Sequence, residues 1–291
     1  MQVSAAWTDL GDGRWVRRSR AYEMNTTVLV QDGWALLVDP GVLPSELEEI
    51  AAFVAHHAPR FEQVAIAYTH PHWDHVLGHR WFPGASTLAH AGFFDRLLLE
   101  QATIEKQAKE YIEAAGEVWP TPFEAFEPRF HARGTVGLQL GPFAVVTHEL
   151  PGHDPNQIAL HFPDRGLFVA ADTLSDIEIP WLDAPAWVYR KSLEALTNVF
   201  EHEDIGVLVP GHGPLAMGRA AAYGRLLRDL AYLRRLEERV GSAHGRGLTL
   251  EATQAELESM DYVGKNAAYS MNEVHRENIR FTYEGIAELQ P

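Results

Sequence analysis

Four potential metal ligands fall within six residues of this chain, in the run Thr69-His70-Pro71-His72-Trp73-Asp74-His75. The run directly follows Gln63–Tyr68, a short apolar stretch that reads as a buried strand stopping at Thr69. A fold that accepts this arrangement must deliver imidazoles and carboxylates together from a strand end, on a loop held by a rigid scaffold. His70 and His72 can converge on one ion, while the adjacent Asp74 and His75 can face a second. Packed together without a cation, such groups would be costly to keep in place. Imidazole suits Zn²⁺, Fe and Ni²⁺, and a carboxylate adds charge compensation.

Three further stretches repeat one local pattern, an apolar strand ending in a His or Asp, with Gly and Pro beside the two histidines. They are Leu150-Pro151-Gly152-His153, Val169-Ala170-Ala171-Asp172 and Val209-Pro210-Gly211-His212-Gly213. Glycine lets the backbone turn sharply and approach an ion. His148, His161, His202, His244 and His275 lack this context and read as ordinary structural histidines. The chain has no cysteine, which excludes disulfides, thiolate metal sites and a cysteine nucleophile. Any metal must therefore be held by imidazole and carboxylate.

The 291 residues suit one large domain or a domain with an appendage. Met24–Val30 and Trp34–Val38 read as a hairpin about Gln31-Asp32-Gly33, and Ser45 is placed to cap a helix reaching about His57. A strand is expected at Ser86–Ala89, a helix over Gly92–Ala115 and an ordered Pro- and aromatic-rich loop over Glu117–Arg133. Strands follow at Thr135–Leu140, Phe143–Glu149, Gln157–Phe162, Leu167–Ala170 and Gly206–Val209, the last preceded by a helix over Ala186–Phe200. Helices over Ala216–Arg239, Leu250–Met260 and Asn272–Leu289 complete the chain. The class expected is α/β with mixed sheets and a helical C-terminal quarter.

The order His70-x-His72-x-Asp74-His75, then His153, Asp172 and His212, resembles the metallo-β-lactamase superfamily over about residues 20–215. The resemblance implies an αββα sandwich, with residues 1–215 as the catalytic domain, an insertion at about 92–133, and 216–291 as a helical extension packed on it. It also implies two divalent ions, zinc first and iron or manganese as alternatives. His70, His72 and His153 would hold one ion and Asp74, His75 and His212 the other. Asp172 would bridge them, and Asp74 and Asp172 are the expected catalytic carboxylates. Asp39, in Val38-Asp39-Pro40-Gly41, matches a family acidic residue lying behind a ligand, although a turn aspartate before proline reads equally well. With Asp rather than Cys at 172, the pattern resembles the glyoxalase II, lactonase and phosphodiesterase branches more than antibiotic-hydrolysing members. Ser175 stands where lactonases carry a Tyr, and Arg276 and Arg280 are weak stand-ins for the basic cluster of glyoxalase II.

The function implied is hydrolysis of a small ester, thioester, lactone or phosphodiester by a metal-bridging hydroxide. Two alternatives remain: a mononuclear iron persulfide dioxygenase-like oxidoreductase, and a metal-dependent nuclease. The formal charge of −16, from 24 Lys+Arg against 40 Asp+Glu, opposes a grip on nucleic acid. After Asp172, Trp181 is a candidate substrate wall and Arg190 a candidate anion contact, read against core packing and a solvated helix face. The 92–133 aromatics suit a lid or a homodimer surface. With no apolar run of about 20 residues and no signal-peptide pattern, no membrane association and a cytoplasmic location are expected.

Overall fold

The computed structural model describes residues 6–120, 122–262 and 271–288. The chain divides into two compact units, Met1–Glu149 with Ile158–Asp164, and Leu150–Gln157 with Arg165–Pro291.

The first unit contains a sheet of seven strands in chain order, β1 (Trp7–Gly11), β2 (Arg14–Arg18), β3 (Asn25–Gln31), β4 (Trp34–Val38), β5 (Val64–Ala67), β6 (Ser86–His90) and β7 (Phe130–Ala132). β1 to β4 form an antiparallel meander. β4 to β7 are parallel. The β3–β4 hairpin turns at Asp32 (φ 51°) and Gly33 (φ 77°), two successive left-handed residues that match strand twist. β4 and β5 are buried along nearly their whole length, as expected of parallel strands covered on both faces.

β1 and β2 were not expected, because Arg14, Arg17 and Arg18 break the apolar alternation. Their apolar side packs on helix α1 (Pro44–His57), with Trp7 stacked on Phe53 at 4.4 Å between ring centroids. On the same face Arg17 reaches α1 too, pairing with the buried Glu46 at 2.9 Å. Ser45 does not cap α1. The helix starts with Pro44 in its first turn and Leu43 at the cap position, a start that suits proline because it has no N–H to satisfy. Ser45 instead donates from Oγ to Glu117 at 2.6 Å. Residues 117–120 and 122–129 are irregular and lead into the short strand β7.

A second ladder of this unit is antiparallel: β8 (Val136–Leu140), β9 (Phe143–Glu149) and β10 (Ile158–Phe162). The unit also holds the single-turn helix α2 (Trp73–Val76) and the long α3 (Phe93–Ala114). Phe93, Trp119 and Phe123 are buried in the core with Ile66 and Tyr68, and Phe126 packs against it. Aromatics in the 92–133 segment thus contribute to the core of this unit.

In the second unit β11 (Leu167–Val169) pairs in parallel with β12 (Val207–Val209), which pairs antiparallel with β13 (Ala216–Met217). The helix expected from Ala216 begins only at Arg219, after β13 and the left-handed Gly218 (φ 84°). Helices α4 (Ala186–His202), α5 (Arg219–Gly245), α6 (Leu250–Leu257) and α7 (Met271–Glu288) complete the unit. The mixed α/β class and the helical C-terminal region are as expected. No helix among the described residues is long and apolar enough to cross a membrane.

Candidate metal centre

In the first unit β5 ends at Ala67, the chain bends at Thr69, and His72 is extended (φ −77°, ψ 153°) just before α2 begins. The expected loop is therefore half helix: Asp74 and His75 sit on the single turn Trp73–Val76. The His70 ring lies 4.1 Å from that of His75 and 4.5 Å from that of His72, centroid to centroid. His75 Nε2 is 3.6 Å from Asp74 Oδ2.

Asp39 organises this cluster from behind. Its carboxylate accepts the Thr69 N–H at 2.8 Å, the Thr69 hydroxyl at 2.6 Å and His75 Nδ1 at 2.9 Å. A carboxylate only accepts, so His75 carries its proton on Nδ1 and keeps a lone pair on Nε2. The same reasoning passes through Thr69. Its hydroxyl proton goes to Asp39, so the hydroxyl oxygen accepts from His70 Nδ1 at 3.0 Å, again leaving Nε2 as the electron-pair donor. Asp39 is 2 % exposed and left-handed (φ 48°), a conformation aspartate tolerates better than most residues.

In the second unit His153, Asp172 and His212 come together. His153 Nε2 lies 3.3 Å, and His212 Nε2 3.4 Å, from the same Asp172 Oδ2. His153 Nδ1 donates to the Trp181 carbonyl at 3.1 Å, so its Nε2 keeps a lone pair beside Asp172. Burial disfavours protonation of His153, but the Asp172 carboxylate outweighs this and raises its pKa above the usual value. A cation at that position would meet the same carboxylate.

The backbone around these residues is tightly cross-linked. Tyr189 donates its hydroxyl to the Asp172 carbonyl at 2.9 Å, and Ser175 Oγ donates to the His212 carbonyl at 3.0 Å. Gly152 (φ 145°) lies so close to Tyr189 that a Cβ would overlap it, and a Cβ on Gly211 would overlap Asp172 Oδ1. The sequence had marked these glycines through the Pro-Gly-His pattern. Nothing in it marked Thr69 or Tyr189.

The donor set fits a divalent ion. Tetrahedral ligands about 2.0–2.1 Å from zinc lie about 3.3–3.4 Å from one another. That is the spacing of the two imidazole nitrogens from Asp172, and it is long for a strong hydrogen bond. All seven residues His70, His72, Asp74, His75, His153, Asp172 and His212 belong to candidate metal-holding groups of His and Asp side chains.

Of the two rim candidates, Trp181 is 52 % exposed with its ring edge-on to His153 at 6.4 Å. Arg190 pairs with Glu237 and Glu194, each at 2.7 Å. Arg280, on α7, is engaged by Glu277 at 2.6 Å and Glu284 at 2.8 Å.

Comparison with known proteins agrees with this chemistry. The chain is 24 % identical over 196 residues to a probable metallo-hydrolase, YqgX, of Bacillus subtilis (strain 168), covering 66 % of this chain and 86 % of the relative. Among solved structures, the stereoselective inverting sec-alkylsulfatase Pisa1 from Pseudomonas sp. superposes with a TM-score of 0.73 at 17 % identity, over 99 % of this chain and 52 % of its own. The chain thus spans about half the length of that sulfatase. A beta-lactamase domain protein from Burkholderia ambifaria gives a TM-score of 0.67 at 17 % identity, over 99 % of this chain and 91 % of its own. The family model of the metallo-beta-lactamase superfamily matches residues 22–212. Fold, histidine and aspartate clusters and family match agree, and the chain belongs to the metallo-beta-lactamase superfamily.

Proposed function

We propose that the chain is a dinuclear metal-dependent hydrolase of a small ester, thioester, lactone or phosphodiester. In this reading His70, His72 and His153 hold one ion, Asp74, His75 and His212 hold the other, and Asp172 is shared. The supporting observation is the approach of His153 Nε2 and His212 Nε2 to one oxygen of Asp172, at 3.3 and 3.4 Å. One carboxylate serving both a ligand of the first ion and a ligand of the second is what a bridging role requires.

Nitrogen and oxygen donors without thiolate favour zinc, with iron or manganese as alternatives. Two such ions would supply Lewis acidity and would lower the pKa of water from 15.7 toward about 7. The protein's own part is orientation and charge. Asp39 and Thr69 keep His70 and His75 in the tautomer that presents Nε2, and the Trp181 carbonyl does the same for His153. Asp74 and Asp172 offset half the formal charge of two divalent ions, and the remaining positive charge favours an acyl or phosphoryl group that becomes anionic in the transition state. The net charge of −16 supports a small substrate over a nucleic acid.

The Bacillus relative's description as a probable metallo-hydrolase supports the reaction class, and the sulfatase likeness adds alkyl sulfates to the substrates worth testing. The test is elemental analysis of the protein as purified, with turnover measured on thioester, lactone, phosphodiester and alkyl sulfate substrates. Two ions per chain with turnover of one class is the expected result. One iron per chain with no hydrolysis would overturn the proposal in favour of the persulfide dioxygenase-like reaction.

A further inference from the structure

In the segment between Asp172 and α4, the residues immediately before and after Trp181 are buried. Ile179 is 3 % and Leu182 1 % exposed, whereas Trp181 is 52 % exposed. The indole thus faces solvent from a stretch of chain whose adjacent side chains are packed away.

The group that holds it is Asn278, fully buried on α7. Its Nδ2 donates to the Pro180 carbonyl at 2.6 Å, and its Oδ1 accepts the Leu182 N–H at 3.0 Å. One side-chain amide thus brackets Trp181 from both flanks. The amide cannot flip without breaking a one-way chain of donors. The Leu257 carbonyl accepts from His275 Nε2 at 3.0 Å, so His275 Nδ1 must accept from the Tyr232 hydroxyl at 2.9 Å, and the hydroxyl oxygen accepts from Asn278 Nδ2 at 2.8 Å. The bracketed residue touches the metal ligands through its main chain, because its carbonyl accepts from His153 Nδ1.

We infer that Trp181 is a preformed wall for an apolar substituent on the substrate, and that Asn278 is its positioning residue; this rests on the hydrolase reading above. A wall that is rigid before binding loses little entropy on association, so its apolar contact appears in affinity.

The test uses the full chain loaded with zinc and two esters of one leaving group, an acetate and a phenylacetate. For Trp181→Ala, the ratio of the phenylacetate KM to the acetate KM rises about tenfold. Asn278→Ala, or Asn278→Asp should the first not fold, moves the phenylacetate-to-acetate ratio the same way. The double variant is then no less selective than Trp181→Ala alone, because both act through one contact. In metal-free protein, Asn278→Ala shifts or broadens the Trp181 indole N–H cross-peak and leaves the other tryptophans in place. An equal effect of Asn278→Ala on both esters with an unmoved indole peak overturns the inference, as does additivity in the double variant. If the wild type hydrolyses neither ester, calorimetric binding of phenylacetate and acetate ions to the zinc-loaded protein takes the place of KM. A phenylacetate preference lost in Trp181→Ala then upholds the wall while the hydrolase reading fails, and equal binding of the two ions overturns it.

Discussion

Oδ2 of Asp39 lies 2.9 Å from Nδ1 of His75, a buried contact between residues 36 apart in sequence. The same carboxylate reaches His70 through the Thr69 hydroxyl, so one acid sets the tautomer of two histidines. Asp39→Asn turns an acceptor into a group that is half donor, facing three N–H and O–H donors. The variant is expected to bind zinc about 10–100-fold more weakly, in the range typical of groups behind metal ligands. Thr69→Val severs only the His70 branch and should cost less. Competition with a chromogenic chelator reads both, and wild-type affinity in Asp39→Asn would remove Asp39 from the site.

Gly211→Ala probes Asp172 without changing any ligand. A methyl group at 211 overlaps Asp172 Oδ1, while the Gly211 N–H to Ala171 carbonyl bond at 2.6 Å keeps the turn in register. The carboxylate must therefore rotate away from His153 and His212. Hydrolysis is expected to fall at least about 100-fold, the order lost when a reacting group is misplaced by about 1 Å. Far-ultraviolet circular dichroism should be unchanged. Near wild-type turnover in a folded Gly211→Ala would argue against a fixed Asp172.

Much of the candidate site was legible because His70, His72, His153 and His212 abut Gly or Pro just past short apolar strands and Asp172 closes another such strand, a pattern that needs no tertiary information. The β3–β4 hairpin was legible for a similar reason, its turn residues being local. What escaped depended on contacts distant in sequence. β1 and β2 hid behind arginines, of which Arg17 finds its partner Glu46 on α1. The start of α1 was misplaced because Ser45 looks like a cap, whereas Pro44 already fits the first turn. Asn278 could not be found at all, since Leu182 lies 96 residues away from it. Trp181 was visible as a candidate wall, and what holds it was not.

His79 should make the fold acid-sensitive. It stacks on Phe126 at 3.6 Å and accepts from the Tyr68 hydroxyl at 3.1 Å, and burial lowers its pKa from 6.5 to about 4. Between those values the unfolded chain binds a proton that the folded chain does not. Stability is therefore full above pH 6.5 and falls as pH drops toward 4, by up to about 1.4 kcal/mol per unit. His148, also lowered to about 4 by burial and then by His161, adds a second such slope. His79→Phe keeps the stack and removes one proton site, at a constant cost of about 1–3 kcal/mol for the Tyr68 hydroxyl left without its acceptor. Urea unfolding at about pH 5 and about pH 8 should show a smaller acid loss in the variant than in the wild type. Equal losses would mean His79 does not titrate on unfolding.

Metal should stabilise the folded chain as well as activate it. An ion that binds only the native state adds about 2.7 kcal/mol when free metal is at 100 times its Kd. Removing zinc with a chelator is therefore expected to abolish hydrolysis and to lower the melting temperature together, with both restored on adding zinc back. Asp172→Ala separates ligand from scaffold. The Asp172 main chain is held by Tyr189 at 2.9 Å and Gln157 at 3.3 Å, and neither bond uses the side chain. The variant should thus fold, melt near the metal-free wild type, lose most of its turnover and gain less from added zinc. If it keeps full activity with two ions bound, Asp172 is not the shared ligand. A melting temperature far below that of the metal-free wild type would instead mean that the carboxylate helps hold the fold even without metal.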